Sequence, residues 1–270
     1  MKAQYKALII DTILKEVRSK TLIFVFVATT ASILIGHMIL STIINSMGGD
    51  ATISISGIDA LSVNFRILNA INFILAAVFG ISVIKSDYEN NIIYQYLSFP
   101  ISRAEYFFTR ILGSWLLVMA YYAYSYLLSA ILFSFTFKKM VFTSGHFLSF
   151  LVLGLYLLLV IFISVFFSLF MNKIGALFAT FASCIAAAAA FGTFAKTPYA
   201  EYFVNMSAFK GVGLVLYYIF PRISFLDSSA TALLSSTPLG MNLIEQIIHL
   251  IVLTAAYVML AQYVIKKKDF

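Results

Sequence analysis

Few residues of this chain have a type and spacing suited to chemistry. Glu245 and His249 stand four apart, so a helix would set them on one face, where they could bind a cation, relay a proton or reach the headgroup region as an interfacial pair. Tyr121, Tyr122, Tyr124 and Tyr126 put four hydroxyls in the middle of a long apolar run, away from the interfaces where tyrosine collects. Those hydroxyls either line a polar pathway or hydrogen-bond between helices, and Asn69 and Asn72, three apart, pose the same pair of readings. His37 reads as a packing residue and Arg66 as a side chain that snorkels to a surface. No H-E-x-x-H zinc helix, G-x-S-x-G elbow or G-x-x-x-x-G-K-[ST] phosphate loop occurs. No catalytic or metal-binding set is therefore visible, and the chain cannot be its own ATPase. An intramembrane enzyme would have to rest on Glu245 and His249.

The elements that would carry these residues follow from composition. Of the 270 residues, 62% are hydrophobic and 11% charged, against roughly 25% charged in ordinary globular chains. A hydrocarbon slab about 30 Å thick needs roughly 20 apolar residues of helix. Runs of that length without strand alternation predict an all-α polytopic membrane protein forming one transmembrane domain over residues 1–270. Six spans are expected, at about 21–44, 67–84, 111–137, 147–170, 174–194 and 243–265. Residues 1–20 have Tyr5, Leu8, Ile9, Ile13 and Val17 at helical spacing among lysines, as in an amphipathic helix lying on the membrane surface. Gly48, Gly49, Asp50 and Asp59 mark a loop of some twenty residues, and Lys138 to His146 a short turn. Residues 195–240 are only moderately apolar, and their most hydrophobic piece, Gly211 to Phe220, is too short to cross and ends at Pro221. It reads as a re-entrant or interfacial helix in an outer segment. Ala179, Ser183 and Ala187 recur every four residues in the fifth span, a small-residue face suited to close packing within the protomer or against a second one. Cys184, the only cysteine, reads as a packing residue.

The net charge of +7 reads as topological, with no nucleic-acid partner, because the basic residues flank apolar runs. With both termini inside, the inner segments hold Lys2, Lys6, Lys15, Arg18, Lys20, Lys85, Arg103, Arg110, Lys173, Lys266, Lys267 and Lys268. The outer segments hold Arg66, Lys138, Lys139, Lys196, Lys210 and Arg222. That twofold bias predicts cytoplasmic termini.

The most polar internal stretch, Lys85 to Arg110, reads as a short cytoplasmic helix with Asp87 at its N-cap and an apolar face of Ile92, Ile93, Tyr96 and Leu97. Pro100 stops that helix and Ser102 caps the next. This loop resembles that of the permease subunits of type-2 ABC transporters (the ABC-2 family), in which an acidic residue, a glycine, apolar residues and a leucine precede Pro-Ile-Ser-Arg, an aromatic and a basic residue. Asp87 or Glu89, Ile93, Leu97, Pro100, Ile101, Ser102, Arg103, Tyr106 and Arg110 match, and Asn91 stands where glycine is usual, a residue that also tolerates left-handed backbone angles.

The order of elements across nearly the whole chain is similar to the family's as well. The resemblance implies that Asp87, Glu89, Asn91, Ile92, Ile93, Tyr96 and Leu97, with Arg103 just behind, couple the chain to a separate ATPase subunit, assisted by an N-terminal helix carrying Glu16 and Arg18. It further implies an exporter in a bacterial cytoplasmic membrane, surrounded by lipid, with two permeases (a second copy or a paralogue) and two ATPases. ATP and Mg would bind the partner, and no cofactor this chain. An ion-coupled carrier or channel is the rival reading, although no internal repeat of broken helices is evident. The cargo is not specified by any motif.

Overall fold

A computed structural model describes residues 3–18, 20–46, 57–98, 101–137, 142–203, 207–235 and 237–267. The expected loop glycines Gly48 and Gly49, Asp50, Pro100, Lys2, Lys138, Lys139 and Lys268 lie outside the described residues, as do the side chains of Lys20, Asp59 and Leu97. Among the described residues the protein is all-helical. Ten α-helices follow in order: α1 (Ala3–Arg18), α2 (Lys20–Ser46), α3 (Gly57–Glu89), α4 (Ile92–Leu97), α5 (Arg103–Phe137), α6 (Ser144–Ser168), α7 (Lys173–Phe194), α8 (Ala208–Ile219), α9 (Ser224–Ser235) and α10 (Leu243–Lys267). Six of them, α2, α3, α5, α6, α7 and α10, are long and apolar enough to cross a membrane. The chain is a multi-pass membrane protein.

The polar residues that punctuate the chain set the helix ends. Ser102 and Glu105 form a reciprocal cap at the start of α5: Glu105 N–H donates to Ser102 Oγ (3.2 Å) and Ser102 N–H to the Glu105 carboxylate (2.8 Å). Asn172 accepts from Gly175 N–H at 2.7 Å and opens α7 directly after α6, so the two helices form a tight hairpin. Ser207 does the same for α8, which ends in extended backbone at Phe220 before Pro221.

Helices α3, α5 and α6 form the centre of the bundle. They approach closely at Gly80, where a Cβ would lie 2.8 Å from the Ile161 carbonyl oxygen, so α3 and α6 meet backbone to backbone there. Phe65 of α3 and Tyr126 of α5 stack at 4.0 Å between ring centres. In α7 the face bearing Ala176, Thr180, Ser183, Cys184 and Ala187 is buried within the protomer. Helices α2 and α10 are peripheral and largely uncovered, an arrangement that suits lipid and not water.

Two expectations need correction. Helix α3 does not stop at 84 but continues to Glu89, so Asp87 belongs to its last turn and is no N-cap of the following helix; that position is Asn91, in the left-handed region at φ 56°. Residues 195–240 hold two helices where one was expected, α8 and α9, bent by 86° to one another.

Candidate functional site

The long helices alternate in direction. One end of the bundle therefore gathers α1, α4, the start of α5 and the end of α10, while the other gathers α8, α9 and the start of α3. The first of these ends holds a cluster of charged side chains around Asp87, which is 0% exposed. Asp87 accepts from Lys15 Nζ at 2.6 Å and from the Tyr106 hydroxyl at 2.6 Å, and it pairs with the Arg110 guanidinium at 2.6 Å. Arg110, likewise 0% exposed, donates to Asp11 (3.0 Å) and to Thr12 Oγ1 (2.7 Å), and its guanidinium lies 4.6 Å from the centre of the Tyr96 ring. Tyr96 in turn donates to Asp11 at 2.6 Å. One network thus ties α1, α3, α4 and α5 together.

This network depends on how α1 is oriented. Ile10, Leu14 and Val17 form a stripe along α1 that stays 44% exposed, while Leu8, Thr12 and Glu16 are buried toward the bundle. The helix comes close because Gly113 of α5 leaves room: a Cβ there would lie 2.8 Å from Thr12 Cβ. Glu16 accepts from Ser82 at 3.0 Å, and burial pushes its carboxyl above the usual range, with the Ser82 hydrogen bond and the Lys15 charge offsetting part of the shift.

The residues expected to face a partner divide into two sets. Ile93 is 1% exposed and packs inward against Leu8 and Tyr106, and Asp87 is enclosed as described. Tyr88, Glu89, Asn90, Asn91, Tyr94 and Gln95 are exposed, and Ile92 is partly buried. Glu89 also pairs with Lys173 at 2.5 Å. Arg103 donates to the carbonyls of Ile265 and Lys266, each at 3.3 Å, and so holds the last turn of α10. Arg18 is exposed at the end of α1.

The tyrosine hydroxyls of α5 all meet neighbouring helices. Tyr121 bonds Thr29 and donates to the Val25 carbonyl (3.2 Å), Tyr122 donates to Asn69 (3.2 Å), Tyr124 meets Thr30 (3.2 Å) and Tyr126 donates to the His146 carbonyl (2.6 Å). These bonds link α5 to α2, α3 and α6. Asn72 is buried and donates to its own helix at Leu68 O (2.8 Å), whereas Asn69 reaches a cavity. His37 bonds Thr136.

That cavity, of about 700 Å³, lies at the α8–α9 end and is walled by α3, α7 and α9. Arg66, Asn69, Tyr156, Lys196 and Asp227 line it, and Arg66 is close enough to Asp227 to act on its carboxylate through space. Nearby, Glu245 is engaged by Arg222 at 2.7 Å, and Arg222 also donates to Gln246 (3.0 Å) and sits 3.8 Å over the Tyr217 ring. His249 stacks on Tyr217, so the expected Glu245–His249 couple is part of a larger cluster in which Arg222 is the carboxylate's partner. Among the described residues, no three His, Cys, Asp or Glu side chains converge as a metal site requires.

Sequence reasoning did not assign sites to Asp11, Lys15, Lys196, Arg222 or Asp227. A signal existed for some of them. Asp11, Thr12, Lys15 and Glu16 share one helical face, and Asp227 is the sole acid between Glu201 and Glu245. No family model matches the chain, and no curated protein matches it either.

Proposed function

We propose that this chain is the membrane-spanning permease subunit of an ATP-driven transporter of the ABC-2 kind. It works as a dimer with two copies of a separate ATPase in a bacterial cytoplasmic membrane, exporting its cargo. The observation that carries the reading is α4. This six-residue helix is set off from α3 by left-handed Asn91, pinned at the tip of the bundle by α1 and α5, and turns Tyr94 and Gln95 outward. A segment held this firmly at its base can pass a push from a partner into α3 and α5, which run the length of the bundle.

The distribution of basic residues supports a cytoplasmic position for the α4 end. At the opposite end α8 and α9, twelve residues each, are about 18 Å long, too short to cross about 30 Å of hydrocarbon. With their 86° bend they suit a re-entrant outer segment better than a seventh span.

The inward packing of Ile93 moves the coupling surface to Tyr88, Glu89, Tyr94 and Gln95. Tyr94→Asp should leave the folded protein intact and abolish its association with the ATPase, whereas Ile93→Asp buries an unpaired charge and should cost the fold itself. The test is co-expression with a phosphate-loop ATPase encoded in an adjacent reading frame, followed by copurification and measurement of stimulated ATP hydrolysis. A chain that never retains an ATPase, and transports without ATP, overturns the proposal.

A further inference from the structure

The cavity containing Arg66 has a neighbour of different character. A second cleft, of about 770 Å³, is lined by Leu148 of α6, Phe225 and Leu233 of α9, and Leu243 and Ile247 of α10. Ala232, Thr237, Pro238 and Leu239 line both clefts, so the two adjoin along the last turn of α9 and residues 237–239. One chamber carries two cations and one carboxylate, and the other carries no charged side chain.

We infer that the paired clefts form one binding site for an anionic amphiphile, with a phosphate or carboxylate head held by Arg66 and Lys196 and a hydrocarbon tail in the chamber of Leu148, Leu233 and Ile247. Three observations bear on this. Arg66 and Lys196 are exposed and make no ion pair among the described residues, so their donors remain available to a ligand. Their place is also suitable. Arg66 lies two residues inside the apolar stretch that begins at Asn64, and Lys196 two residues beyond the one that ends at Phe194, so both stand at headgroup depth. Finally, each cleft falls within the size range of small-molecule sites, about 300–1,000 Å³. Asp227 leaves the head chamber one net positive charge, which suits an anionic head and disfavours a cationic one.

The inference goes beyond the transport reading and does not need it. The site lies at the end opposite α4, and binding is measured on the chain alone, without an ATPase.

The test uses purified full-length protein in a neutral maltoside detergent, with four probes: 1-oleoyl-glycerol 3-phosphate, monooleoylglycerol, glycerol 3-phosphate and oleylamine. The phosphate amphiphile should bind most tightly. Removing the phosphate (monooleoylglycerol) should weaken binding by about tenfold or more, the value of one or two charge-assisted contacts. Glycerol 3-phosphate, which lacks the tail, should bind weaker still, and oleylamine no better than monooleoylglycerol. Arg66→Gln and Lys196→Gln should each cost about tenfold for the phosphate amphiphile and nothing for monooleoylglycerol. Ala232→Phe should weaken both tailed glycerol compounds. Lys196, exposed beyond the end of α7, provides the variant least able to disturb folding, and melting curves verify it. Equal binding of glycerol 3-phosphate would show a free-phosphate site with no role for the tail. Equal binding of oleylamine, or an unchanged Lys196→Gln variant, would show adsorption to the apolar surface. Each of these results overturns the inference.

Discussion

Two groups of charged side chains, one around Asp87 and one lining the α8–α9 cleft, are held in opposite ways. At the α4 end, Asp87 and Arg110 are withdrawn from solvent completely, and each is surrounded by partners drawn from α1, α3 and α5. At the α8–α9 end, Arg66, Lys196 and Asp227 stand around a cleft with no ion pair among the described residues. Burying a charge is expensive unless it is paired and hydrogen-bonded, so the first arrangement exists only as a closed unit. The two cations facing the open cleft, Arg66 and Lys196, keep their solvation and their donors until a ligand replaces the water. The first set of charges joins helices, and the second is left open to the cleft.

The largest test of that difference removes one carboxylate from each end. Asp87→Ala takes from Arg110 its buried carboxylate partner, leaving it only the half-exposed Asp11 and Thr12, and should destabilise the protein by about 3 kcal/mol, whereas Asp227→Ala should fall within about 0.5 kcal/mol. Unfolding in mixed detergent micelles measures both, and equal costs would erase the distinction.

A smaller effect is expected from two glycines. At the closed end, Gly113→Ala would push a methyl group into Thr12 and should cost about 1–3 kcal/mol. Gly192 lines the cleft and a Cβ there meets nothing within 4 Å, so Gly192→Ala should gain up to about 1 kcal/mol in helix propensity. The same micelle unfolding reads the pair, and a Gly113→Ala variant as stable as the parent would mean that α1 does not sit as tightly as the structure has it.

The smallest expected effect is a pH dependence at Glu16. Its carboxyl is raised by burial, so the folded protein favours the protonated form. The docking of α1 should therefore be strongest below the ordinary glutamate pKa and weaken as pH rises from that value through the raised one, then level off. Glu16→Gln keeps an acceptor for Ser82 and should flatten the profile. Melting temperature against pH for the two proteins gives the comparison, and parallel profiles would place the titration elsewhere.

Much of the architecture was legible in the residue order because the bilayer imposes a length. The apolar runs at 147–170, 174–194 and 243–265 correspond closely to α6, α7 and α10. Hydropathy marks the apolar slab and not the end of a helix, which is why α3 runs on through Lys85 to Glu89 and carries Asp87 inward. The cap at Ser102 and the hairpin at Asn172 were legible because capping is local. Which face of α4 turns outward was not: Ile93 and Tyr94 are adjacent apolar residues, and only Leu8 of α1 and Tyr106 of α5, far away in sequence, decide that Ile93 is the one covered.

By itself, the sequence determined an all-helical membrane protein with about six spans and both end segments basic, because hydrophobic length and backbone hydrogen bonding in lipid leave few alternatives. Only the tertiary structure decided which charges were partners. Lys15 and Asp87 are 72 positions apart, and Arg110 and Asp11 are 99. Pairings over such separations depend on the packing of α1 against α3 and α5, which no local pattern records.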